Sequence, residues 1–171
     1  VLDRFPGRKI AVVNDDQPAF TGLAQRFGAG LQARGVAPSL SESFKAGTKD
    51  FEALAGRIAA AEVGAVYIAS TYVEGGLIAR ALRAQGSGAQ IVSGDSFLTE
   101  DYLNQAKDAA EGTLMSFTYD PRNFPAARPV VERMRAEEQN AEGFTLYAYA
   151  AVQALAAAAE GTGSTESARL A

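Results

Sequence analysis

Between Gly64 and Gly76 the chain reads GAVYIASTYVEGG, an apolar run that passes through one polar turn straight into a helix start. AVYIAS is too short for a helix of its own and carries β-branched and aromatic side chains, so it predicts a buried strand ending at Ser70. Thr71-Tyr72-Val73-Glu74 then matches a capping box: Thr71 accepts from the third free N–H of the helix, and Glu74 reaches back to the Thr71 amide. A strand turning abruptly into a helix is one half of a βαβ unit. Such junctions are where open parallel sheets bind ligands.

The same alternation runs along the chain. Lys9 to Asn14 predicts strand one, fed by Pro6-Gly7 and closed by Asp15-Asp16-Gln17-Pro18. A helix from about Pro18 to Arg34 follows, with Phe20, Leu23, Phe27 and Leu31 on one face and Gly35 as its stop. Pro38 to Phe44 alternates apolar and polar at Leu40, Glu42 and Phe44, as an edge strand does. Thr48 or Asp50 then caps a helix that buries Phe51, Leu54, Ala55 and Ile58. The third helix carries Leu77, Ile78 and Leu82 on one side and Arg80 and Arg83 on the other. Gln90 to Ser93 is strand four, ending in the turn Gly94-Asp95-Ser96-Phe97, and a short helix from about Thr99 to Lys107 has Glu100 and Asp101 in its first turn.

Thr113 to Tyr119 predicts strand five. Pro121, Pro125 and Pro129 predict no regular structure until a charged helix from Val130 to Gln139. The last long helix, Thr145 to Glu160, has Thr145 as its cap and Phe144 stapled against Tyr149, and its alanine-rich run predicts close packing. Residues 161–171 read as a linker and the start of a further helix. The expectation is a single domain over residues 1–171: an α/β, three-layer αβα sandwich with a five-stranded parallel sheet in the order 2-1-3-4-5.

Composition narrows function by exclusion. The chain has 171 residues, 47% hydrophobic and 21% charged, which fits one globular domain. Sixteen basic residues against twenty acidic, without a basic cluster, argue against a nucleic-acid partner. The absence of cysteine and histidine removes the thiolate nucleophile, the commonest general base and the commonest transition-metal ligand. There is no Walker phosphate loop and no GxSxG elbow, and Gly28-Ala29-Gly30 lies inside helix one instead of between a strand and a helix. A phospho-accepting receiver domain would need an aspartate ending strand three and a lysine ending strand five, where this chain has Ser70 and Tyr119. No catalytic constellation, metal site or cofactor is expected, and the protein reads as a non-enzyme. The start at Val1, without a basic-then-apolar leader, reads as a mature or cut fragment.

What remains at the carboxyl ends of strands one, three and four is Asn14-Asp15-Asp16-Gln17, Ser70-Thr71-Tyr72 and Asp95-Ser96. Acceptors, hydroxyls and an aromatic around one crevice suit a small cationic or zwitterionic ligand, through carboxylate–ammonium pairing and cation–π attraction. Each residue also has a plainer reading. Asp95 either meets a ligand or orders its own turn. Thr71 is at least a helix cap, Tyr72 is a ligand wall or a half-buried surface aromatic, and Phe20 reads as core before ligand wall. Asp15 and Asp16 read as a solvated turn, with Glu74 occupied by its capping bond.

Several stretches carry a family resemblance: KIAVVNDDQPAFTGLAQRF, AGTKDFEALAGRIAAAEVGAVYIASTYVEGGLIARALRAQG, IVSGDSF, AAEGTL and YAYAAVQALAAAAEGTGS. Together they resemble the second lobe of the branched-chain amino acid (Leu/Ile/Val-type) binding proteins that serve bacterial ABC importers, which are type I periplasmic binding proteins. The resemblance implies two lobes closing on an amino acid, a periplasmic location and ABC permease subunits as partners. The lobe that grips the ligand's α-carboxylate would precede Val1, and the final return to it would follow Ala171. By position, the family's acidic residue falls on Asp95, which would receive the ligand's ammonium group. The aromatic that often ends strand three falls on Thr71, with Tyr72 beside it, and a hinge-side aromatic falls near Ala19, with Phe20 adjacent. A ligand-sensing domain of a receptor or regulator is the alternative with the same fold. A lobe without its partner exposes its cleft face, which predicts self-association.

Overall fold

A computed structural model describes residues 1–5 and 7–170; Pro6, expected to feed strand one, and Ala171, the end of the expected linker segment, lie outside them. The chain divides into two compact units, Val1–Phe117 and Thr118–Ala171.

In the first unit each short apolar run becomes a strand and each period-3.6 stretch a helix. The order is β1 (Ile10–Asp15), α1 (Pro18–Gln32), β2 (Leu40–Phe44), α2 (Glu52–Ala60), β3 (Ala65–Ala69), α3 (Tyr72–Ala84), β4 (Gln90–Ser93), α4 (Glu100–Ala106) and β5 (Leu114–Met115). The sheet order is β2-β1-β3-β4-β5 and every pairing is parallel. β1 and β3 are buried along their whole length, because central strands of a parallel sheet are covered on both faces. Alternate residues serve the two faces. Ala11, Val13, Val66 and Ile68 pack with Leu54, Ile58, Ile78, Leu82, Phe97 and Tyr102, whereas Ile10, Val12, Tyr67 and Val92 pack with Ala24 and Leu31 of α1. That division gives the three expected layers.

Local details depart from expectation for physical reasons. Leu23 is 40% exposed and Ala24 takes its place in the core. At 3.6 residues per turn, Phe20, Ala24, Phe27 and Leu31 form a tight stripe, and Leu23 falls about 60° to its side. The Arg83 guanidinium is not simply solvated: it donates to the carbonyls of Ser87 at 2.8 Å and Ala89 at 2.9 Å, ordering the turn into β4. Strand five forms only over Leu114–Met115, not Thr113 to Tyr119. Its partner β4 ends at Ser93, whose carbonyl accepts the last ladder bond from Ser116 N–H at 3.0 Å. The edge strand β2 is tied to α2 by a two-pronged pair, Arg57 to Glu42, at 2.6 and 2.5 Å.

In the second unit Pro121–Asn123 and Pro125–Ala127 form single 3-10 turns, and α5 (Arg128–Ala136) takes Pro129 into its first turn. The expectation of irregular chain up to Val130 therefore fails, because a proline's missing N–H costs nothing where a helix has no partner for it. α6 (Thr145–Thr162) has Thr145 as its first residue and Phe144 in the cap position. The Phe144 ring stands 6.1 Å from that of Tyr147, while the Tyr149 ring lies beneath Arg133, whose guanidinium donates to its hydroxyl at 2.8 Å. Close packing of the alanine-rich run is not seen: only Leu146 of α6 is buried, with Val152 and Leu155 exposed. Gly163, at φ 60, closes the helix in the left-handed conformation that glycine adopts without strain, and α7 (Ser167–Leu170) follows.

Candidate functional site

The order β2-β1-β3 means that the chain leaves β1 toward one side of the sheet and β3 toward the other. Their carboxyl ends therefore flank the crevice where parallel sheets place ligands. Hydroxyl side chains stitch the end of β3 to the end of β4. Ser93 donates to the Ile68 carbonyl at 2.7 Å and Ser96 donates to the Ser70 carbonyl at 2.9 Å. These bonds bring Ser70-Thr71 and Asp95-Ser96 to one rim. The Asp95–Phe97 segment is a 3-10 turn whose Asp95 carbonyl accepts from Leu98 N–H at 3.0 Å and whose Phe97 ring is fully buried.

The side chain of Asp95 is exposed, and its carboxylate accepts no hydrogen bond among the described residues. Ser70 is fully buried, and its hydroxyl donates to the Thr71 carbonyl at 3.0 Å, so it shapes the turn from beneath. Thr71 is half-buried at the rim. Tyr72 is half-buried against the Ile68 and Phe97 face of the sheet, whereas Phe20 packs against the opposite, Val12 and Tyr67 face. The fold thus gathers Asp95, Thr71 and Ser70 and sets Phe20 on the other side of the sheet from Tyr72.

The capping box does not form as its sequence pattern predicts. Thr71 caps α3 by position only, without a side-chain bond to the helix backbone. Its hydroxyl instead donates to Glu74 Oε2, and Glu74 Oε1 accepts Gly47 N–H at 3.0 Å. The Asp16 carboxylate accepts the neighbouring Ala46 N–H at 2.9 Å, so two acids hold successive amides of the loop after β2. Burial pushes the Glu74 carboxyl up, but the hydrogen bonds from Thr71 and Gly47 outweigh it and hold the group below its ordinary 4.5.

Asp15 overturns the reading of a solvated turn. It is fully buried at the end of β1, with Oδ1 accepting Gln17 N–H at 2.9 Å and Oδ2 without a partner. Burial, opposed by the Gln17 bond and aided by the charges of Glu74 and Asp16, raises its carboxyl above the ordinary 3.8. These three acids form no metal-ligand cluster among the described residues. Tyr67 is the aromatic that motif reasoning passed over: it stacks on Phe27 at 4.0 Å, and burial, with the Asp95 charge as a smaller cause, pushes its hydroxyl pKa above the ordinary 10.0.

The two buried acids give opposite pH dependences. A raised folded-state pKa makes Asp15 a source of stability gained as pH falls through that value, whereas Glu74 contributes above 4.5 and loses its contribution as pH falls through its lowered value. Asp15→Asn removes the first of these dependences, so the parent's urea midpoint, taken as a difference from the variant's, is expected to rise on acidification over roughly pH 7 to 4. A variant profile superimposable on the parent's would contradict this.

A family model described as "Periplasmic binding protein" matches residues 1–171. The chain is 40% identical over 166 residues to Leu/Ile/Val-binding protein homolog 1 of Brucella melitensis, covering 97% of this chain and 45% of that protein. It is 36% identical over 173 residues to an amino acid binding protein of Pseudomonas aeruginosa, covering 100% of this chain and 46% of the other. Among solved structures, a leucine binding protein from Thermotoga maritima superposes with a TM-score of 0.85 at 26% identity, over 99% of this chain and 49% of that one. The substrate binding protein of a branched-chain amino acid transporter from Streptococcus pneumoniae, solved with isoleucine, gives 0.83 at 24% identity and likewise shares the fold over 99% and 49%. The chain spans about half the length of the relatives it matches. With a parallel α/β sheet ending in a polar rim and a family match along its full length, the chain belongs to the periplasmic binding proteins.

Proposed function

We propose that this chain forms one lobe of an extracytoplasmic solute-binding protein that takes an amino acid, branched-chain or a related small zwitterion, and hands it unchanged to ABC permease subunits at the membrane. The observation that carries the reading is the Asp95 carboxylate: exposed, without a hydrogen-bond partner among the described residues, and carried on a turn that the buried Phe97 anchors and that Ser96 ties to the Ser70 carbonyl. A carboxylate so placed receives the ligand's ammonium group. Thr71 and Tyr72 wall the same crevice, Ser70 supports its floor, and Phe20 lies at the start of α1 as a wall contributed from the other side of the sheet. The names of the relatives support an amino acid as ligand and the periplasm as the place of action.

A single charged contact contributes about 1.5–3 kcal/mol, less than association costs. Binding by this chain alone is therefore expected at millimolar concentration or weaker, since 1 mM corresponds to about 4.1 kcal/mol. Titration of the 15N-labelled chain with leucine, isoleucine and valine is expected to move the amide signals of residues 70–72 and 94–97. Asp95→Asn should weaken that response about tenfold or more. Submicromolar binding by this chain, or an Asp95→Asn titration equal to the parent's, would contradict the reading.

A further inference from the structure

We propose that Glu74 is a positioning residue that fixes the Thr71 hydroxyl as a hydrogen-bond acceptor toward the ligand, and so selects side chains that carry a donor over purely aliphatic ones. The proposal rests on the reading of the β3–β4 rim as the amino-acid site. Its warrant is the proton inventory of the rim. Glu74 is only 6% exposed and lies below its ordinary pKa, so at neutral pH it is an ionised, acceptor-only group. The one proton in the Thr71–Glu74 contact is therefore the threonine's, and it is committed to Glu74 Oε2. What Thr71 has left for a ligand is its oxygen lone pairs. Ser70 and Ser96 have spent their protons in the same way, on the carbonyls of Thr71 and Ser70. No hydroxyl proton of these three side chains is left to donate.

The arrangement is held from a distance. Glu74 Oε1 accepts the amide of Gly47, 27 residues earlier, so the carboxylate is held from both sides and turning away from Thr71 would also break its bond to the loop after β2. A half-buried acceptor penalises a ligand that covers it with a methyl group, because the acceptor then loses water and gains nothing. Threonine and valine are isosteric and differ in this one respect.

Parallel NMR titrations of the 171-residue chain with threonine and with valine test the proposal, read at the amides of residues 70–72 and 94–97. Threonine is expected to bind about tenfold more tightly. Thr71→Val should bring the two affinities together, and Thr71→Ser should keep the preference. Glu74→Gln has one acceptor oxygen for two donors and should reduce the preference while the protein stays folded. Equal affinities in the parent, a preference for valine, or a threonine preference that survives undiminished in Thr71→Val or in Glu74→Gln would overturn the proposal and leave the site itself standing. If neither amino acid moves these amides, the reading of the site falls and the proposal with it.

Discussion

Truncating Phe97 to alanine is expected to cost about 3–5 kcal/mol, the range for removing a fully buried aromatic ring. Phe97 closes the turn after β4, is completely buried, and stacks on the equally buried Tyr102 with ring centres 4.5 Å apart. Tyr102 is anchored in turn by its hydroxyl to Thr113 at 2.9 Å and by its amide to the α4 cap Thr99 at 3.1 Å. The cavity would open between the sheet, α3 and α4, and neither anchor lets Tyr102 slide in to fill it. The same ring holds the Asp95-Ser96 turn to the core, so the variant should lose ligand response along with stability. Urea unfolding followed by circular dichroism measures the first effect; a midpoint within experimental error of the parent's would contradict the packing account.

Gly75→Ala is expected to destabilise the fold by about 1–3 kcal/mol, against the direction of helix propensity. Alanine in place of glycine inside a helix normally gains up to about 1 kcal/mol. At Gly75, however, a Cβ would overlap Cζ and Cε1 of Phe97 and stand 2.8 Å from Cε2. That ring is held against Tyr102, so α3 would have to lift from it. Gly56 in α2 supplies the control, because a Cβ there meets nothing within 4 Å. Gly56→Ala should therefore raise the midpoint while Gly75→Ala lowers it. Two variants shifting in the same direction would show that propensity, not contact with Phe97, governs the site.

Much of this architecture is legible in the sequence because β1 and β3 are short continuous apolar runs followed at once by helix starts. That combination leaves few solutions other than a parallel sheet with its ligand edge at the carboxyl ends. The turn at Asp95 and its neighbourhood with Ser70 follow from the strand order alone. What local pattern does not reach is decided by partners far along the chain. Asn14-Asp15-Asp16-Gln17-Pro18 has the composition of a solvated turn, but Asp15 is shut in at the end of β1, where Thr21 also donates to its carbonyl at 3.3 Å. Thr71 and Glu74 carry the spacing of a capping box, yet the Gly47 amide competes for the carboxylate and redirects the bond. The fifth strand stops early because its neighbour stops, a fact about residues 90–93 and not about residues 113–119.

The proposed role of Asp95, receiving the ammonium group of an amino acid at the β3–β4 rim, is read from the side-chain carboxyl 13C resonance of Asp95 during a valine titration. This resonance is expected to move with the same apparent affinity as the amides of residues 70–72. An Asp95 carboxyl signal that stays fixed while those amides saturate would contradict it.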